Sequence, residues 1–143
     1  MSILNSTLIF KTNRMKLFKK DIIVSVDIEA TGTSPTTSSC VMVGCVAMFD
    51  FQGKKDVDPH KPEEWLIDRK AWCIKEQPNR PPEKDCWDNF WLKNMNVWEH
   101  IQKNAIPAQE AMFEFDKWYR DLDSKYNIKI VCKTSSYDWQ WIN

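Results

Sequence analysis

The chain is poor in histidine, lacks any Cys-x-x-Cys pair, carries no excess of either charge and contains no long apolar run. Its only histidines are His60 and His100, and neither lies in a cluster with metal-ligand spacing, so a zinc site is not expected. The cysteines are Cys40, Cys45, Cys73, Cys86 and Cys132, an odd set. They read as free core thiols in a reducing, cytoplasmic compartment. No apolar run approaches transmembrane length, so no membrane partner is expected. Lys+Arg and Asp+Glu number 20 each. That balance argues against a broad non-specific nucleic-acid coat, but it allows a pocket that grips a few nucleotides at a strand end. Internal repeats and linkers are absent too, which leaves one domain. Acids are missing altogether from residues 1–20, which hold Lys11, Arg14, Lys16, Lys19 and Lys20. This stretch is expected to be a flexible basic leader, or an upstream extension before a start at Met15. Lys11 and Asn13 interrupt any secretory core, and organelle targeting is not expected.

What is present is enough for a core: 143 residues, 43% of them apolar. The organising stretch is Ile22–Gly32, Ile-Ile-Val-Ser-Val-Asp-Ile-Glu-Ala-Thr-Gly. Its β-branched residues predict a strand. Side chains alternate along a strand, so Ile22, Val24, Val26 and Ile28 share one face, and Ile23, Ser25, Asp27 and Glu29 the other. A strand so apolar on both sides belongs in the middle of a covered sheet. Yet two carboxylates end its second face, about 7 Å apart by strand rise. They repel each other and lose solvation unless a positive group lies between them, and a hard divalent cation is the simplest candidate. A strand end merely emerging into water is the plain alternative. Thr31 and Gly32 turn the chain out of the sheet, and glycine allows close backbone approach to a ligand.

Downstream, residues 33–39 form a polar loop. Cys40–Phe49 suits a buried strand, and Asp50–Lys55 a turn. Residues 56–63 are irregular, and a third strand falls near Trp72–Ile74, completing an antiparallel meander. Pro82 opens a short helix to Trp91, with Glu83 and Asp85 in its first turn. A second short helix covers 95–104. Pro107 stands at the first position of a long helix to about Lys125, whose stripe is Ala111, Phe115, Trp118 and Leu122. Trp87, Phe90, Trp91 and Trp98 read as packing rather than base-stacking platforms. Asn127 ends the long helix, and Ile128–Cys132 is a strand parallel to its neighbour, reached by a right-handed crossover. Ser135 and Ser136 cap a final helix that holds Tyr137-Asp138-Trp139. Alone, Asp138 there is an acid favoured by the helix dipole.

Val-Asp-Ile-Glu-Ala-Thr-Gly resembles the first motif of the DEDD superfamily of 3′–5′ exonucleases, the group of RNase T and the proofreading exonucleases. Tyr137-Asp138-Trp139 stands where that family carries its second-motif Asp. The resemblance spans about Ile22 to Asn143. It implies an α/β, RNase H-like mixed sheet: a three-strand antiparallel meander, a helix, a parallel strand and the start of the next helix. The family's third motif, His-x-x-x-x-Asp or Tyr-x-x-x-Asp on a later helix, is not found after Asp138. Tyr119–Asp123 matches the second form, but it precedes the second motif and is taken as chance. Residues 21–143 therefore look like the N-terminal part of a longer domain, incomplete at its C-terminus.

The resemblance implies hydrolysis of single-stranded 3′ ends of DNA or RNA with two Mg²⁺ or Mn²⁺ ions. Asp27 would bridge both ions, Glu29 would hold the one on the nucleophile side, and Asp138 would act on the other. Ala30, Thr31 and Gly32 would line the pocket for the terminal nucleotide by backbone contacts. The absent motif would supply a general base. Three readings stay open: this exonuclease, a catalytically inactive relative that binds nucleic-acid ends or a protein partner, and an aromatic-rich interaction domain. A dimer, or a second polypeptide completing the domain, is expected.

Overall fold

The computed structural model describes residues 19–51 and 57–142. Of the basic leader, residues 1–18 lie outside the described residues, as does most of the turn expected at Asp50–Lys55. β1 (Lys20–Ala30) is an interior strand in a four-stranded sheet of order β3-β2-β1-β4. Ile22, Val24, Val26 and Ile28 are buried, as the alternation requires. β2 (Cys40–Phe49) runs antiparallel to β1 and buries Val41, Val43, Cys45 and Ala47 on the same side. β3 (Leu66–Cys73) runs antiparallel to β2. It begins well before the Trp72–Ile74 strand expected from sequence. Its Asp68-Arg69-Lys70 run hid it, yet an edge strand can turn such charges to water.

Between β2 and β3 lies a single helical turn, α1 (Pro62–Trp65), which the sequence did not signal. After β3 come α2 (Lys84–Asn89), a 3₁₀ turn at Trp91–Lys93, and α3 (Met95–Asn104). The helix expected from Pro82 to Trp91 is thus shorter and breaks at Phe90. Val41, Trp91, Trp98 and Ile101 form a small core there, with the Trp91 and Trp98 rings 4.8 Å apart and crossed edge to face. These tryptophans are packing residues, while Phe90 is 40% exposed.

α4 (Ala108–Lys125) covers the main core. Ala111, Trp118 and Leu122 are buried and Phe115 packs beside them. Trp72 of β3 meets Phe115 and Trp118 edge to face at 5.6 and 5.8 Å. The Trp118 indole donates to Asp68 at 2.8 Å, so its polar atom is satisfied where the ring is buried. Pro107 is the residue before the helix rather than its first member. Asn127 does not end the helix but belongs to β4 (Tyr126–Cys132), where its amide donates to the Lys19 carbonyl at 3.0 Å. β4 lies parallel to β1, as a helical crossover demands. α5 (Ser135–Ile142) follows.

The second face of β1 is less covered than its composition suggests. Ile23, Ser25 and Glu29 are half-buried and Asp27 is exposed. A groove of about 500 Å³ on that side is lined by Ser25, Val46, Met48, Phe51, Pro59 and Trp65, among others. Among the described residues, no helix is long and apolar enough to cross a membrane.

Candidate functional site

The parallel ladder between β1 and β4 stops at Val26–Cys132, yet β1 continues to Ala30. Its last residues therefore outrun their neighbour on that side. The Ile28 N–H, beyond the ladder, donates to Asp138 Oδ1 at 3.2 Å. Asp138 Oδ2 accepts the Thr134 N–H at 3.1 Å, while the Thr134 carbonyl accepts the amides of Tyr137 and Asp138 at 2.8 and 2.9 Å. One carboxylate thus pins the start of α5 to the residue between Asp27 and Glu29. Asp138 is only 3% exposed. The Thr134 carbonyl thus takes the first amides of α5, and the Asp138 side chain returns a bond to the Thr134 amide.

Glu29 feels the other two acids. Burial first, then the charges of Asp27 and Asp138, raise the Glu29 carboxyl above its ordinary value. The donor set is all oxygen, which suits Mg²⁺ or Mn²⁺. It is not drawn together into a ligand cage: among the described residues, no group of three or more His, Cys, Asp or Glu is arranged to hold a metal ion. In chemistry the three residues fit the cation, and Asp27 is the most exposed of them.

The turn after Glu29 is held from several directions. A shift in register between Glu29 and Ala30 ends the regular ladder with β2. The Ala30 carbonyl accepts the Trp91 indole at 3.1 Å, the Thr31 carbonyl accepts the Glu83 amide at 2.8 Å, and the Gly32 carbonyl accepts the Tyr137 hydroxyl at 3.1 Å. The Thr33 carbonyl accepts the Gln140 amide at 3.0 Å. Thr31 is fully buried, and its hydroxyl takes the Ser39 N–H at 2.9 Å. Its side chain is therefore spent inside the loop. Burial keeps the Tyr137 phenol a neutral donor, pushing it up to about 12.

Glu83 is the residue that sequence reading missed here. It registered only as a first-turn acid, and nothing local in the sequence reveals that its carboxylate reaches back to Thr33 and Ser38. Tyr119 and Asp123 lie on α4, where burial, then Asp123, raises the Tyr119 hydroxyl. All five cysteines are free, and burial pushes Cys40 and Cys45 up to about 12, so neither offers a thiolate.

No protein-family model matches the chain, and no curated protein matches it either. Solved structures do. One is described as the nuclease domain of 3'hExo, a DEDDh family member, bound to rAMP. It is 14% identical, with a TM-score of 0.57, over 87% of this chain. The match spans 57% of that structure's chain. At this identity the likeness establishes the fold, which is the RNase H-like α/β arrangement with its mixed four-stranded sheet.

Proposed function

We propose that this chain carries the Asp-x-Glu and Asp half of a metal-dependent 3′–5′ exonuclease site of the DEDD type. The observation that carries the proposal is the bond from Ile28 N–H to Asp138 Oδ1, which ties the second-motif acid between the two first-motif acids. Structural likeness to a nuclease domain supports the same class. Asp27, Glu29 and Asp138 would hold the divalent ions, which when bound supply a clamp on the scissile phosphate and an activated water. The chain's own part is to concentrate negative charge there and to set a rigid turn beside it for the terminal nucleotide of a single-stranded 3′ end. Asp27 suits a metal-ligand role because the residue is exposed and its carboxylate, among the described residues, makes no hydrogen bond or ion pair.

The test compares Mn²⁺ titration and 3′-end hydrolysis in the wild type and in Asp27→Asn. Loss of both, with the melting temperature kept, is expected. Wild-type Mn²⁺ affinity in the variant would sink the proposal. A second reading, a relative that binds nucleic-acid ends or a protein partner without cutting, is favoured by the open ligand set. It is distinguished by a wild type that binds oligonucleotide 3′ ends in Mn²⁺ without any hydrolysis.

A further inference from the structure

Glu83 sits just before α2, far from β1 in sequence, yet its carboxylate is built into the turn that follows Glu29. Oε1 accepts the Thr33 N–H at 3.0 Å and the Ser38 hydroxyl at 2.9 Å. The Thr33 hydroxyl reaches both carboxylate oxygens at 3.3 Å. The Glu83 amide returns a bond to the Thr31 carbonyl at 2.8 Å. The approach is close enough that a methyl group on Gly32 would collide with Ser38 Oγ and the Glu83 carboxyl. Together with Trp91, Tyr137, Gln140 and Ser39, these bonds occupy every backbone group from the Ala30 carbonyl to the Thr33 carbonyl except one. The exception is the Gly32 N–H, which has no hydrogen-bond partner among the described residues although Gly32 is buried, so that an acceptor from outside the turn would satisfy it.

We infer that Glu83 is a positioning residue that fixes this turn so that the Gly32 N–H is left as its backbone donor to the terminal nucleotide. The inference rests on the exonuclease reading and adds a residue outside its motifs. A turn with its carbonyls and remaining amides already bonded cannot rearrange to satisfy that N–H internally. An acceptor on the ligand, such as a sugar hydroxyl or a phosphate oxygen, then meets a donor that needs no reorganisation. The carboxylate is suited to this work. Its hydrogen bonds, the Thr33 amide first, hold it below the ordinary glutamate value, so it stays an acceptor-only group at neutral pH. A glutamine there keeps one acceptor oxygen but places an amide NH2, itself a donor, against donors. An alanine removes the anchor of Thr33 and Ser38 together.

The experiment measures adenosine 5′-monophosphate binding by calorimetry in the presence of Mn²⁺, using the full chain as wild type, Glu83→Ala, Glu83→Gln and Asp27→Asn. Melting temperature and hydrogen exchange at the Thr33 amide are recorded on the same samples. Glu83→Ala should lose affinity by about tenfold to hundredfold and speed exchange at Thr33 while remaining folded. Glu83→Gln should recover part of that affinity, which a purely structural role would not produce. If Glu83→Ala binds like wild type while Asp27→Asn does not bind, the positioning role is overturned and the exonuclease reading stands. If wild type fails to bind the nucleotide and Asp27→Asn changes nothing, the exonuclease reading fails and the role of Glu83 falls with it. If both Glu83 variants unfold, Glu83 holds the fold and the positioning role is overturned.

Discussion

At the scale of single residues, Glu29 carries the most informative charge. Its carboxyl is raised by burial, then by Asp27 and Asp138, so the folded chain holds that proton more tightly than the unfolded one. The native state is therefore favoured with Glu29 protonated. The penalty of ionising it grows as pH rises from the ordinary glutamate range through the raised value, and it is full at neutral pH. Glu29→Gln should raise the melting temperature at neutral pH without divalent ions. That gain should shrink as the solution is acidified, and shrink again when Mn²⁺ is added to both proteins. Thermal melts across pH check this, and an unchanged or lowered neutral-pH melting temperature would mean that ionising Glu29 carries no penalty in the folded chain. Glycines give a second contrast. Gly32→Ala meets Ser38 Oγ and the Glu83 carboxyl, and should cost about 1–3 kcal/mol in denaturant unfolding. Gly44→Ala, with only the Asp27 carbonyl near at 3.9 Å, should stay within about 0.5 kcal/mol of wild type. Equal effects at the two positions would show that the turn is not tightly closed.

At the scale of elements, α5 is defined by one side chain. Asp138 serves the Ile28 amide and the Thr134 amide at once, so removing it differs from neutralising it. Asp138→Ala leaves the Ile28 N–H without its acceptor and should cost about 1–3 kcal/mol, whereas Asp138→Asn keeps one acceptor oxygen and should cost less. Both should lose Mn²⁺ affinity. Chemical denaturation beside Mn²⁺ titration separates the two roles, and full metal affinity in Asp138→Asn would confine this acid to structure. Much of this element pattern was legible in the sequence. The β1 alternation and the Ala111–Leu122 stripe report burial directly, because their periods match the geometry of strand and helix. β3 was legible only in part, since charges on an edge strand erase the alternation. The reach of Glu83 to Thr33 was not legible at all. Bonds between residues so distant in sequence depend on where the loops end up, and local propensity carries no trace of that. The same holds for the half-covered second face of β1, whose apolar content reads identically whether or not another element packs there.

At the scale of the whole molecule, the question is what meets the surfaces that the sheet leaves open. Among the described residues, β4 has β1 on one side and no strand on the other. Val131 on that strand is 43% exposed and Trp139 on α5 is 45% exposed. The one cation on β4, Lys129, is turned to Asp21 and Asp50 at 3.2 and 2.7 Å, so it is already paired. An edge of this kind offers unpaired backbone groups to another chain. Net charge does little to keep copies apart, since the formal charge is +0 and the pI is about 6.7. These features together predict self-association that increases with concentration and is strongest near neutral pH. Val131→Lys places a charge on the open edge and should shift the equilibrium toward monomer. It should leave the melting temperature of dilute protein within a few degrees, because an exposed side chain contributes little to the core. Sedimentation velocity over a range of concentrations, wild type against Val131→Lys, checks the prediction. A wild type that stays monomeric throughout would show that the edge is already protected. An association unaltered by Val131→Lys would move the contact from β4 to the groove lined by Val46, Met48 and Trp65.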